Sequence, residues 1–459
     1  MLSLSDHLRV DEPSKIWYEA VNVASATSMK LGTSSIVFRP EMGFFTSSSI
    51  IFAGSFVVNV LNYIFTLVVS RILGVEEFGQ VASLLSLFLL ITVPATALSM
   101  LMARETAFHK EHGPSTLEHL FAGMQKHSAL AALALWVFFL ALAPLIADFL
   151  NISLIPLVIF SLVAPLNLIG ALQAGTLQGL QEFVSLSIQN ILGAIIKLAA
   201  SIVLVAVGFS VAGVMGALVL ASACSLAYGY VATRSLISPP VLHEGSSTPP
   251  ASMRIGFMNS FFGSILITTA LLALLSNVDV LLAKHYLPAD MAGEYGALST
   301  VGKIIIYGIG AFISALLPMA SAANARGNGE ERGLLWLSLA SVFFASLAAV
   351  VVFSLFPQLV VSILFGGTKY SAIAGYLGMF SIAMGCISLS TTFINYFVAT
   401  RNTSFVYPLA ISIVTEIVLI AQHHDSIMLI TQVLVYSSTV LLALMVANYV
   451  LVYRGRLII

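Results

Sequence analysis

The segment Leu73-Gly-Val-Glu-Glu-Phe-Gly-Gln-Val-Ala-Ser-Leu84 recurs without gaps as Leu287-Pro-Ala-Asp-Met-Ala-Gly-Glu-Tyr-Gly-Ala-Leu298. The two copies share a leucine at each end, an acidic residue at the fourth position and a glycine at the seventh. Each copy follows the first long apolar segment of its half of the chain. The repeat therefore predicts two halves of the same topology, related by an axis along the membrane normal, with a cleft between them.

The composition predicts a protein that is dissolved in lipid. Of 459 residues, 59% are hydrophobic and 8% are charged, against about 25% charged residues in an ordinary soluble domain. The formal net charge of -1 provides no basic field for nucleic acid. Cys224 and Cys386 both lie in apolar segments, which excludes a disulfide framework and a cysteine cluster for metal.

Apolar windows predict about twelve transmembrane helices, because a bilayer core requires about twenty apolar residues per helix. The windows cover residues 46–72, 78–102, 127–148, 152–175, 184–208, 211–233, 254–285, 292–318, 333–356, 371–398, 404–422 and 427–453. The stretch 357–370 either extends the ninth window or forms a short interfacial piece. A linker rich in proline and serine separates six windows from six. The predicted organisation is a tail (1–45), a six-helix lobe (46–233), a linker (234–253), a second six-helix lobe (254–453) and a short end (454–459).

The distribution of Lys and Arg predicts the orientation in the membrane. One side receives four such residues from the tail, together with Arg104, Lys110, Lys126, Arg234, Arg254, Arg326, Arg332, Arg401, Arg454 and Arg456. The other side receives only Arg71, Lys284 and Lys369. Since positive residues accumulate in cytoplasmic loops, both termini are predicted to be cytoplasmic. The tail has no apolar core, so a cleavable signal peptide is not supported.

Three motifs in this order resemble one protein family: residues 70–86, the turn Leu177-Gln-Gly-Leu-Gln-Glu-Phe183, and Asp279 followed by residues 287–297. They are similar to the Wzx-type polysaccharide flippases of the multidrug/oligosaccharidyl-lipid/polysaccharide exporter (MOP) superfamily. The resemblance implies an all-α fold with a V-shaped pair of six-helix lobes and a central cavity, as in multidrug exporters of that superfamily. It also implies a cargo of oligosaccharide on a polyprenyl pyrophosphate in the cytoplasmic (inner) membrane.

Four ionisable side chains lie within the predicted spans, where a charge is costly and is by default a candidate for function. They are Lys197, Asp279, Lys303 and Glu416. The lysines are predicted to attract the diphosphate or an acidic sugar, since an ammonium in a low-dielectric cleft is a strong partner for phosphate oxygens. The two acids could bind a proton or a sodium ion and so couple its flux to that of cargo. The alternatives are a structural ion pair and, for Asp279 and Lys303, side chains that simply reach the interface.

Weaker candidates lie near the span ends and in the first span. Arg104 could guide cargo, although interfacial anchoring explains it as well as it explains Arg71. Asn59 and Asn62 share a face of the first span and could either contact sugar or join helices. Prolines are expected to break or bend four spans, at Pro94, Pro165, Pro318 and Pro408. The loop sequence His423-His424-Asp425 does not make a complete metal site.

The sequence therefore predicts a monomeric secondary transporter, not an enzyme, that needs no cofactor besides a possible coupling ion, H+ or Na+. Its expected partners are lipid-linked oligosaccharide, membrane lipids and a polysaccharide polymerase. One alternative is a cation-coupled multidrug exporter on the same scaffold, against which Lys197 and Lys303 weigh. The other is a membrane-embedded polymerase or glycosyltransferase, against which the short outer loops weigh. No P-loop pattern supports ATP hydrolysis.

Overall fold

The computed structural model describes residues 44–110, 114–237, 255–326, 330–400 and 402–454. Regular structure in these ranges is helical, without a strand, and all of them belong to one compact unit. The prediction of an all-α protein is confirmed. Most of the predicted tail and linker, and the C-terminal end beyond residue 454, lie outside the described residues.

The described part of the N-terminal half, between residues 44 and 237, contains eight helical segments that form six spans. They are α1 (Phe44–Ile72), α2 (Val75–Ile91), α3 (Val93–His109), α4 (Pro114–Leu150), α5 (Leu154–Ser161), α6 (Val163–Gly179), α7 (Phe183–Ala206) and α8 (Ser210–Ile237). The last helix includes the first four residues of the predicted linker.

The C-terminal half, from residue 255, follows a similar order. Its helices are α9 (Ile255–Tyr286), α10 (Ala289–Arg326), α11 (Glu330–Leu355), α12 (Pro357–Phe365), α13 (Ala374–Ala399), α14 (Val406–Gln422) and α15 (Ile427–Arg454). A short 3-10 turn, Ser371–Ile373, leads into α13.

Each of the twelve predicted spans falls on one helix or on one pair of consecutive helices. Ten segments of the described chain are long and apolar enough to cross a membrane, counting α2 with α3 and α5 with α6 as one segment each. The remaining two predicted spans are α14, a shorter apolar helix, and α10, which is 38 residues long. The chain is thus a multi-pass membrane protein.

Proline accounts for the interruptions of two spans. Pro94 follows the break at Thr92, in the first turn of α3, where a missing backbone N–H is tolerated. Pro165 takes a similar place in α6, after the break at Leu162. Pro408 also lies in the first turn of its helix, α14. The helix α10 continues through Pro318.

The stretch that follows the ninth span forms the separate helix α12. Phe356 leaves helical geometry (φ -126°, ψ 43°) and Pro357 begins the new helix. Gly366 ends it in the left-handed conformation, with φ 70°, which glycine adopts without steric cost. The ninth span is therefore not extended, and the short-piece alternative is correct.

The two copies of the repeated segment lie against each other where α2 crosses α10. A Cβ atom added to Gly79 would lie 2.8 Å from the Cα of Gly293, the residue that the repeat aligns with it. A Cβ atom on Gly296 would lie 2.8 Å from the Cβ of Ala82, which is the next aligned pair. Glycine is therefore required here because the two backbones touch.

Most contacts between the halves are made by two helices of the first half, α2 and α3. The helix α2 packs on α9 and α10, and α3 packs on α9. A continuous apolar core extends from Phe65 and Phe78 in the first half to Tyr295 and Phe380 in the second.

Candidate functional site

Three of the four predicted intramembrane charges meet inside the C-terminal half. Asp279 on α9, Lys303 on α10 and Glu416 on α14 are 2%, 9% and 1% exposed. Their charges interact electrostatically with one another. We call these three residues the buried charge cluster. Because they are enclosed by helices, the alternative that Asp279 and Lys303 simply reach the membrane interface is wrong.

Neutral polar groups hold each member of the buried charge cluster. Tyr295 donates its hydroxyl proton to Asp279 Oδ2 at 3.0 Å, and Ser437 Oγ donates to Glu416 Oε2 at 3.4 Å. Lys303 Nζ donates to Asn277 Oδ1 at 3.3 Å. None of the described carboxylates lies within 4.0 Å of Lys303 Nζ. The cluster is therefore not a contact ion pair, which is the arrangement that a purely structural role would favour.

The polar partners Asn277, Tyr295 and Ser437 were not predicted from the sequence. An asparagine, a tyrosine and a serine are ordinary in membrane helices, and nothing in their spacing indicates that they face a charge. The signal that could have found Tyr295 is its position in the repeated segment. It also lies two helical turns before Lys303, on the same face of α10.

Lys197 is held separately, between α7 and α1 of the N-terminal half. Its Nζ donates to Asn62 Oδ1 at 2.5 Å and lies 4.5 Å from the centre of the Phe65 ring, within the range of a cation–π contact. No described carboxylate lies within 4.0 Å of this ammonium. Asn59, one turn before Asn62 on α1, is exposed. The structure thus joins Lys197 to Asn62 and groups Lys303 with the acids instead.

Arg104 lies on the exposed surface of α3, and its cargo-guiding role stays a prediction.

The three cations of the predicted outer end all interact across the two halves. Arg71 of α1 donates to the carbonyls of Ile363 and Leu364 in the last turn of α12, at 2.7 and 3.1 Å. In return, Lys369 donates to the carbonyls of Ser70 and Leu73 at the end of α1. We call these reciprocal contacts the carbonyl latch.

Each cation of the carbonyl latch occupies the negative end of a helix that belongs to the other half. Burial lowers the pKa of the Lys369 amine, and the charge of Glu77 opposes part of this shift. The third cation, Lys284 of α9, is 3% exposed and interacts with the charge of Glu76 on α2.

Aromatic and amide groups also join the two halves at the predicted outer end. The ring of His285 stacks on Phe149 of α4 at 4.1 Å, and its Nδ1 donates to the Phe149 carbonyl at 2.7 Å. Asn151 Nδ2 donates to the His285 carbonyl at 3.4 Å. The halves are therefore joined at the predicted outer end by cations, a helix crossing and a ring stack.

Comparison with solved structures shows that this is the fold of the MOP superfamily transporters. An inward-facing multidrug resistance MATE family transporter of that superfamily superposes with a TM-score of 0.70 at 11% identity, over 85% of this chain and 94% of that one. The lipid II flippase MurJ, in an inward closed conformation, gives 0.68 at 13% identity, over 88% and 87%. A MOP superfamily transporter from Pyrococcus furiosus gives 0.62 at 16% identity, over 90% and 94%.

Residues 45–324 match the family described as "Polysaccharide biosynthesis protein". The chain belongs to that family, because the match covers more than half of its length. No curated protein matches the sequence.

Proposed function

We propose that the protein is a flippase that moves oligosaccharide units linked to polyprenyl pyrophosphate from the inner to the outer leaflet of the cytoplasmic membrane. The family match points to polysaccharide biosynthesis, and the fold is one on which transporters are built. Such movement requires no covalent step. The protein is proposed to act without enzymatic chemistry, as a monomer with both termini in the cytoplasm, and to deliver cargo to a polysaccharide polymerase.

The observation that carries this proposal is the position of Lys197. An ammonium in the membrane is costly unless it is paired, and its described partners are the neutral groups Asn62 and Phe65. An anionic ligand would complete this site, and a diphosphate is such a ligand. Asn62 orients the ammonium, and the exposed Asn59 is placed to contact a sugar. Arg104 is proposed to meet the cargo earlier, at the predicted inner side.

The buried charge cluster is proposed to bind the coupling ion. Lys303 forms no contact ion pair with the carboxylates of Asp279 and Glu416. These two carboxylates are therefore available to bind a further positive charge. Either a proton or a sodium ion is compatible with coupling of ion flux to cargo movement. Cargo contact by Lys303 would require the cluster to open, so we assign the diphosphate to Lys197 first.

The rival function is export of cationic drugs, since one similar structure is that of a multidrug resistance transporter. A lysine without a carboxylate partner at 4.0 Å disfavours a cationic ligand. An in vitro sugar-transfer assay with the purified chain tests the enzymatic alternative, a polymerase or glycosyltransferase, and is expected to yield no product.

Direct binding separates the two transport functions. In native mass spectrometry, we expect the purified chain to retain a polyprenyl-pyrophosphate oligosaccharide. It should retain a smaller fraction of the same oligosaccharide when this is linked to a neutral polyprenol. A cationic dye is expected to give no saturable binding. Equal retention of the two lipids, with saturable dye binding, would contradict the flippase proposal and favour the drug exporter.

A further inference from the structure

Three oxygen atoms around the buried charge cluster have no hydrogen-bond partner in the part of the chain that the structure describes. They are Asp279 Oδ1, Glu416 Oε1 and the hydroxyl oxygen of Ser299. Ser299 is 2% exposed and lies one helical turn from Tyr295 and one from Lys303, on the same face of α10. Since both of those neighbours face the cluster, Ser299 faces it as well. An enclosed group of unpartnered oxygens is uncommon, because each such atom has lost its hydration.

The charges of this group do not balance. Among the described residues, the titratable side chains that face the cluster are Asp279 from α9, Tyr295 and Lys303 from α10, and Glu416 from α14, while α15 contributes the neutral Ser437. Two carboxylates and one ammonium leave one negative charge inside the protein. A buried charge without compensation is strongly unfavourable. One further positive charge would neutralise the group.

We propose that the buried charge cluster is a site for a single proton, taken up by the Asp279–Glu416 pair, with Lys303 as a built-in cation that excludes metal ions. This inference rests on the proposed coupling function and selects the ion. The proton forms an O–H bond with one carboxylate oxygen and the resulting carboxyl donates a hydrogen bond within the cluster. On release, the proton returns to water and the carboxylate is restored, so no other reactant is needed.

Geometry favours the proton over a sodium ion. A proton requires a single lone pair, and the unpartnered oxygens of Asp279 and Glu416 each provide one. A metal cation requires several oxygen ligands around it, and it would enter a site in which an ammonium already interacts with both carboxylates. The like charges would repel each other in a low-dielectric interior.

The test is infrared difference spectroscopy of the purified full chain in detergent, without cargo, during a pH titration. We expect a carboxylic-acid carbonyl band at neutral pH that disappears as one proton is released. The band should be lost or shifted in Asp279→Asn or in Glu416→Gln. The matched control is Glu118→Gln, at an exposed position of α4, which should leave it unchanged. Absence of such a band in the native chain would overturn the proposal.

Sodium provides the second measurement, which is made first on the native chain. Replacing choline chloride with sodium chloride is expected to leave the titration of the native chain unchanged. Displacement of the proton by sodium, at concentrations where choline has no effect, would overturn the assignment. In Lys303→Met the built-in cation is removed, so we expect sodium to compete with the proton there.

The proton-site proposal and the flippase proposal can be disproved independently of each other. The infrared band is read without cargo, so loss of the flippase function would leave it intact. If the chain moves lipid-linked oligosaccharide but shows no titrating carboxyl, the result supports the flippase proposal and contradicts the proton site.

Discussion

The two intramembrane lysines identified from the sequence, Lys197 and Lys303, differ in their surroundings. Lys303 lies within reach of two carboxylate charges, whereas Lys197 is held by an amide oxygen and a phenyl ring. The sequence identified both as costly charges in apolar spans, but it could not separate their roles. The difference depends on which helices pack together, and α14 lies far along the chain from the consecutive helices α9 and α10.

At Lys197 we predict that the charge determines cargo affinity. Lys197→Met should weaken binding of polyprenyl-pyrophosphate oligosaccharide by about tenfold to a hundredfold, because a hydrogen bond to a charged group contributes roughly 1.5–3 kcal/mol. Lys197→Arg should retain most of the affinity. Native mass spectrometry or fluorescence titration measures both. Equal affinity of the Met variant and the native chain, with thermal stability unchanged, would remove Lys197 from the cargo site.

Among the elements, the crossing of α2 and α10 shows what a repeat can predict. The alignment of Gly79 with Gly293 indicated that the two halves are related, and the structure brings these aligned glycines into contact. The alignment alone could not predict the contact, because related segments need not touch. Similarly, the apolar windows located the spans, whereas the position of α12 depends on the local geometry of Phe356 and Gly366.

A methyl group at this crossing should destabilise the protein. In Gly79→Ala the new Cβ would meet the backbone of Gly293 at 2.8 Å, so the helices must separate, at a cost of about 1–3 kcal/mol. The matched control is Gly308→Ala on α10, where an added Cβ has no neighbour within 4 Å. The control should be neutral or slightly stabilising, since alanine favours a helix. Thermal unfolding in detergent compares them, and equal midpoints would contradict the close crossing.

The carbonyl latch should hold the predicted outer end closed. Removing both cations, in Arg71→Gln with Lys369→Gln, should shift the population towards a form open at that end. A charge near an exposed helix terminus contributes about 0.3–1 kcal/mol, so the double variant should change the ratio of forms by about threefold to thirtyfold.

Spin labels on the exposed positions Ser153 and Asp425 can report this opening, after Cys224 and Cys386 are replaced by alanine. We expect a longer distance to gain population in the double variant. Arg234→Gln, on α8 at the other predicted end, should leave the distribution unchanged. A distribution that is the same in all three proteins would show that the latch does not control opening.

For the whole molecule, the sequence predicted the class of fold and left the site incomplete. Twelve apolar windows and a repeat were sufficient to predict a helical membrane protein with two related halves, since the bilayer restricts what can span it. Apolar periodicity carries no information about which polar side chains meet, so Asn277, Tyr295, Ser299 and Ser437 were missed. Those contacts arise only when all spans have packed.

The most direct test of the central claim is transbilayer movement of a fluorescent polyprenyl-pyrophosphate oligosaccharide in proteoliposomes. A membrane-impermeant quencher measures the fraction in each leaflet, with protein-free vesicles and Lys197→Met as the comparisons. We predict that the native chain accelerates movement, that a proton gradient increases the rate, and that Lys197→Met slows it while remaining folded. Movement no faster than in protein-free vesicles, from a chain that exports a cationic dye, would contradict the account.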